Sequence, residues 1–333
     1  MSKTKTSTPP LKTASKKSAP TAREKKPTVL ITGAAGALAQ QVIQRLKDNY
    51  QVVAVDFREQ TQHGDGIPSY KLDYNKRVFE DLFKSYKFDS VVHLGRIQSS
   101  EETITRRYNA NVLGTQKLMD LSHKYGIRHL IILSTFHVYG ADAYNPALMD
   151  ETAPLKAAEL TQDLVDSVEL ENLANIYLWK YPDLNITILR PCNIVGPGVN
   201  NTISRLLSSK YPPCLLGFSP IMQFIHIEDM ADAIQLAHQE YHRGVFNVAP
   251  SDWVAFQDAL EHCGCTPMPI PSIPPVLPKL ISRTLGLKSF PPYLLNYFKY
   301  PVVIDGREFE TTFGFSPKRP LKEIFRSYKD QKK

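Results

Sequence analysis

Val29-Leu30-Ile31-Thr32-Gly33-Ala34-Ala35-Gly36-Ala37-Leu38-Ala39 is the stretch on which the fold turns. The apolar, β-branched start predicts a buried strand, the two glycines a tight turn, and Ala37–Lys47 an amphipathic helix. Glycine at positions 33 and 36 lets the backbone approach a ligand closely, and the helix start offers free N–H groups to a diphosphate. The third small position is Ala39 rather than glycine, a change that helix–strand contact tolerates. Asp56 closes the next predicted strand 23 residues after Gly33, where a carboxylate accepts the ribose hydroxyls of a dinucleotide. A carboxylate there also repels the extra phosphate of NADP. The expected cofactor is therefore NAD, with Arg58 as the one neighbour that argues the other way.

Outward from this stretch, short β-branched runs alternate with helical patterns. Strands are predicted at Thr28–Thr32, Val52–Asp56, Ser69–Leu72, Ser90–Leu94, His129–Ser134 and Asn185–Arg190, with helices such as Ala37–Lys47 and Arg77–Tyr86 between them. Right-handed crossovers wind such units into a doubly wound parallel sheet. The expected organisation is a tail over 1–27, a dinucleotide-binding α/β domain over 28–190, and a smaller, mainly substrate-binding subdomain over 191–333. In that last part Asp229 is expected to cap a helix over Met230–His238. Residues Thr266–Tyr300 hold eight prolines, four basic residues and no acid, which excludes one long helix. Their aromatics, Phe290, Tyr293, Tyr297, Phe298 and Tyr300, are expected to bury on the body of the domain, the alternatives being an apolar pocket wall or a membrane-surface contact.

The formal net charge of +7 suggests a polyanion partner, but its distribution argues against one. Residues 1–27 hold eight of the 40 basic residues and one of the 33 acids, so the body balances at 32 against 32. A neutral body gives no electrostatic reason to expect nucleic acid. The Lys/Ser/Thr/Pro-rich tail reads as disordered, without the apolar core of a secretory signal. No apolar run reaches the length of a membrane span. Four cysteines in a chain this long do not make a disulfide framework, so a reducing cytoplasm is expected. His262-Cys263-Gly264-Cys265 has no second ligand pair, which favours buried thiols over a metal.

Together these motifs resemble the NAD-dependent epimerase/dehydratase family, the extended short-chain dehydrogenase/reductases with a Rossmann-type sheet. Thr32–Ala39 is similar to its cofactor loop, Leu72-Asp73 to its adenine contact and Val92-His93-Leu94-Gly95 to its strand-four sequence. Asn111–Thr115, Ser134–Gly140, Leu189–Pro197, Phe224–Asp229 and Gly244–Val248 follow in the family's order. The resemblance implies cofactor contacts from Gly33, Gly36, Ala37, Leu38, Asp56, Asp73, Leu94, Gly95 and Ser134, a ligand contact from Asn193, a small-molecule ligand and a homodimer.

The resemblance also implies a Tyr-x-x-x-Lys pair on the helix before strand six, working with the Ser/Thr position that Thr135 fills. Counting back from Arg190 puts Leu164 and Val168 at the pair's positions. Residues 145–176 contain no tyrosine and only one lysine, Lys156, so no shift of register supplies the pair. Leu160, Leu164 and Val168 read instead as an apolar helix ridge packed on core or on a second subunit. His137 is the remaining acid/base candidate, since imidazole titrates in a useful range. Asp163, Asp166 and Glu169 share the same helix. Met222-Gln223 stand where sugar-nucleotide members carry an arginine for a ligand phosphate. The expectation is an NAD(H)-binding protein without standard dehydrogenase chemistry. The alternative is an oxidoreductase or epimerase with a rearranged acid/base set, acting on an apolar or atypical sugar substrate.

Overall fold

The computed structural model describes residues 26–64, 66–97, 102–271 and 293–332. The expectations for the basic tail up to residue 25 and for Phe290 lie outside the described residues.

Val29, Leu30, Ile31 and Thr32 have no exposed surface, so β1 (Thr28–Thr32) can only be an interior strand. Its side chains alternate between two cores. Val29 and Ile31 pack with helices α1 (Ala37–Leu46) and α8 (Ile227–Glu240), while Leu30 packs with α2 (Arg77–Ser85), α4 (Gly114–Lys124) and α6 (Val165–Lys180). A strand covered on both faces needs an apolar residue at every position, which is what the opening sequence supplies.

The other sheet strands are β2 (Gln51–Asp56), β3 (Ser69–Lys71), β4 (Ser90–His93), β5 (His129–Leu133) and β6 (Asn185–Pro191). Short strands β7 (Asn193–Val195), β8 (Pro213–Leu215), β9 (Ile221–Met222) and β10 (Phe224–His226) follow, and the chain then returns to the sheet as β11 (Gly244–Val248). The seven-stranded sheet is parallel throughout, in the order β11-β6-β5-β4-β1-β2-β3. All six expected strands form within one residue of their predicted ends. Strand order reverses between β1 and β4, and a crevice for ligands opens at the carboxyl ends of strands at such a reversal. Because β11 is an edge strand of this sheet and α8 packs on α1 and β5, residues 227–248 stand with the first half of the chain.

Two expectations need correction. Asp229 does not cap α8. The His226 ring accepts from the Glu228 N–H at 3.3 Å and caps it, while Asp229, one turn in, pairs with Arg319 at 2.6 Å. The Leu160–Val168 ridge is not one helix either. Thr161 is extended at φ −157° and separates α5 (Ala157–Leu160) from a 3₁₀ turn, Gln162–Leu164, that leads into α6. Its hydroxyl accepts from the Asp163 N–H at 3.2 Å, the local bond that makes threonine a helix starter.

Candidate cofactor and ligand site

The cofactor loop is built by contact between two turns. Gly33 has φ +73°, and a Cβ there would lie 2.6 Å from the backbone of Gly95, so only glycine lets the β1 and β4 turns close on each other. The Gly36 N–H donates to the Gly33 carbonyl at 2.9 Å, and no side chain caps α1. The first amides of that helix, Ala37 and Leu38 among them, therefore have no intrahelical partner and face the crevice end of β1. Asp56 is buried beneath the loop. Its Oδ2 accepts from Ala35 N–H at 3.1 Å and its Oδ1 from Arg58 N–H at 2.8 Å, which leaves lone pairs on both oxygens. Arg58 Nε stands 3.8 Å from Oδ1 and is mostly exposed.

Beside the loop, the Tyr74 hydroxyl lies 2.3 Å from where a Gly95 Cβ would stand, buried and without a hydrogen-bond partner. Asp73, its neighbour, accepts from Asn75 N–H at 3.0 Å at the surface. Leu94 is half-buried at the end of β4. A glycine cradle, an uncapped helix start and an orphaned hydroxyl fit a dinucleotide diphosphate and its ribose. They are the atoms that such a group would satisfy.

At the end of β5, Ser134 and Thr135 diverge. The Ser134 hydroxyl donates to Glu171, while Thr135 caps a 3₁₀ turn over Phe136–Tyr139. The Thr135 hydroxyl lies 2.9 Å from His137 Nδ1, so the two proposed catalytic residues are in direct contact. Burial, with Arg96 nearby, pushes His137 down to about 3. The useful titration range expected from the sequence is therefore lost, because a desolvated imidazole beside a cation stays neutral. The Tyr297 hydroxyl donates to the His137 carbonyl at 2.5 Å, and the Tyr293 ring meets the imidazole edge-on at 5.9 Å.

Leu164 and Val168 are each 5 % exposed and pack with Phe136, Val138, Tyr139 and Ala157. Asp163 stands 3.7 Å from Arg107, Asp166 accepts from Asn111 Nδ2 at 2.5 Å, and Glu169 is half-buried. On the opposite wall, Asn193 donates to the Gln223 carbonyl at 3.0 Å. Gln223 donates to the carbonyls of Pro250 and Ile304 at 3.0 Å each and accepts from Ile304 N–H at 2.9 Å. Where a phosphate-binding arginine is expected in sugar-nucleotide enzymes, Gln223 is therefore a buried clamp on this chain's own backbone. Between the walls, Phe136, His137, Asn193, Met222, Leu294 and Tyr297 help to enclose a cavity of about 20 Å³, room for about one water. Cys263 and Cys265 are buried thiols, Cys265 within 2.9 Å of Lys332 Nζ. Among the described residues no cluster of metal-ligating side chains occurs.

Two residues of this region escape a sequence reading. Glu171 receives Ser134 and pairs with Arg190, and Arg96 enters between β4 and α6, whereas Tyr297, which closes the cavity, is among the aromatics expected to bury. Arg96 alone carried a local signal, an arginine directly after the buried run Val91-Val92-His93-Leu94-Gly95.

Comparison with known proteins agrees with this geometry. The family model described as "NAD dependent epimerase/dehydratase family" matches residues 29–249. An uncharacterised protein of Mycobacterium tuberculosis is 24 % identical over 310 residues, covering 90 % of this chain and 82 % of its own. The human UDP-glucose 4-epimerase is 28 % identical over 147 residues, 38 % of this chain and 42 % of that protein. Among solved structures, a UDP-glucose 4-epimerase from Thermotoga maritima with UDP-glucose superposes with a TM-score of 0.75 at 18 % identity, covering 92 % of this chain and 99 % of its own. MoeE5 in complex with UDP-glucuronic acid and NAD gives 0.73 at 21 %, covering 92 % and 100 %.

Proposed function

This chain belongs to the NAD dependent epimerase/dehydratase family, and from that premise we propose that it binds NAD(H) as a dinucleotide-dependent sensor, scaffold or partner subunit, without the family's standard dehydrogenase chemistry. One observation carries the reading. The chain has a glycine cradle at Gly33 and Gly36 over a buried Asp56, while the space by His137 and Asn193 is a cavity of about 20 Å³, room for about one water. Tyr/Lys chemistry needs a phenol whose pKa a nearby ammonium lowers, and residues 145–176 offer no tyrosine.

Calorimetry with NAD and NADH on the full chain tests this. We expect binding of both, and no binding at millimolar cofactor would sink the proposal. Gly33→Ala is expected to weaken NAD at least about a hundredfold, the scale of losing two oriented bonds to a charged group. An unchanged affinity would place the cofactor elsewhere.

The second reading, a slow oxidoreductase or epimerase, is favoured by the 2.9 Å contact between the Thr135 hydroxyl and His137. Turnover followed by nicotinamide absorbance for oxidoreduction and by chromatographic separation of the epimers for epimerisation, across sugar-nucleotide and apolar carbonyl panels, separates the two readings. Loss of an acid/base group costs roughly 10²–10⁴-fold, so Thr135→Ala would remove any such turnover. Activity that survives both Thr135→Ala and His137→Ala would reassign the roles. Ile176 and Trp179, 55 % and 81 % exposed on α6, support a homodimer across that helix.

A further inference from the structure

Arg96 is held in an unusual way. The amide of Asn111, within a π-helical segment at Asn109–Leu113, accepts from the Ile97 N–H at 2.8 Å and donates to its carbonyl at 2.9 Å, so the backbone beside Arg96 is fixed. The guanidinium reaches α6 and bonds the Ser167 hydroxyl through Nη2. Nε and Nη1 are shut off from solvent and have no hydrogen-bond partner. Among the described residues no carboxylate lies within ion-pair distance of it. Asp166 and Glu171 attract it through space but spend their hydrogen bonds elsewhere, Asp166 on Asn111 and Glu171 on Arg190 and Ser134. Arg107, close enough for mutual repulsion, also has an orphaned Nε and reaches Asp163 only at 3.7 Å.

A folded chain rarely leaves such donors empty, because each buried, unsatisfied polar group is destabilising, the more so when it is charged. The geometry points to a ligand: we propose that Arg96, backed by Arg107, binds a carboxylate or phosphate carried by the molecule that sits beside Thr135 and His137. His137, neutral, and Tyr293, edge-on to it, form the uncharged side of that site. The inference deepens the proposed function, since it names a ligand class for the region where Arg96 and His137 face each other electrostatically, and it rests on that reading of the site.

The test is thermal unfolding of the full chain with NAD saturating, so that the helix start at Gly36 is already filled. Inorganic phosphate and malonate are each compared with chloride at matched ionic strength. We expect a rise in Tm of about 5 °C at a hundred times the dissociation constant. Arg96→Gln should lose that rise, keep the NAD-induced shift, and be at least as stable as the parent in chloride. The last readout separates a ligand group from a structural one, because removal of a structural arginine lowers stability. Arg96→Lys, which keeps the charge but loses the planar donors, covers failure of Arg96→Gln to fold and should cut the rise by half or more. The proposal is overturned if the parent shows no rise, if either variant retains it in full, or if the rise vanishes whenever NAD is present. A parent that gives no NAD shift refutes the cofactor reading instead, and the phosphate and malonate arms, compared between parent and Arg96→Gln, still decide the role of Arg96.

Discussion

Glu171→Ala is expected to destabilise the protein by about 3–5 kcal/mol, the cost of leaving a buried charge without its partner. Glu171 has no exposed surface and Arg190 only 3 %, and the two form an ion pair between α6 and β6. Around the pair, Arg190 Nη1 donates to the Tyr139 hydroxyl at 2.7 Å and to the Glu151 carbonyl at 3.0 Å, and Tyr139 donates to Asn247 Oδ1 at 2.7 Å. The network joins β5, β6, α6 and β11 at the level of Ser134, whose hydroxyl is bound by Glu171. Urea unfolding reads the loss directly. Arg190→Leu combined with Glu171→Met should recover most of it, because an apolar pair of similar volume needs no compensation. A single-variant cost below about 1 kcal/mol would show that the pair is water-accessible in solution.

Acid should unfold this protein well before its carboxylates protonate. His93, His129 and His238 are all buried, and burial lowers them to about 4, 3 and 4 from the usual 6.5. His93 shows why it stays neutral. Thr115 uses its one proton on the Asn111 carbonyl at 2.6 Å, so His93 Nε2–H donates to Thr115 at 2.9 Å, and Nδ1 accepts from the Thr32 hydroxyl at 2.6 Å. His129 and His238 each bond through Nε2, at 2.9 Å to Thr187 and 2.7 Å to Ser90, and leave Nδ1 buried without a partner.

The sign follows from proton binding. Below pH 6.5 the unfolded chain binds more protons at these sites than the folded one, so stability is full above that value and falls with pH toward the folded values near 3–4. At pH 5 each histidine contributes a loss of roughly 2 kcal/mol, and the three together approach the ~5–15 kcal/mol total of a typical domain. Denaturation at pH 7.5 and pH 5.0 checks this, and a flat profile between them would mean that these rings are hydrated.

How far the site was legible follows from how locally each part is written. Gly33, Gly36 and Asp56 announce themselves because a tight turn, a helix start and a strand end each impose demands on adjacent residues. That residues 145–176 hold no tyrosine was equally legible, since it is a property of the sequence alone. Asp229 was misassigned because aspartate and histidine both serve as caps, and only the position of Arg319, 90 residues on, decides between them. The surroundings of His137 were not legible, because its titration depends on burial, with Tyr297 packed on it from 160 residues away.

The sequence by itself determined a parallel doubly wound sheet, a dinucleotide loop and a stretch over residues 145–176 without tyrosine. Periodicities of 2 and 3.6 and the conformational freedom of glycine are properties of neighbouring residues, so they survive without knowledge of the fold. Only the tertiary structure decided that Gln223 clamps backbone where a phosphate arm was sought, that Glu171 holds Ser134, and that Arg96 meets Ser167 across 71 residues with donors left over. Each of these depends on side chains brought together by the crossing of distant loops. Hydrogen-bond satisfaction is counted in space, and no local pattern in the chain records which groups remain unpartnered once the sheet has closed.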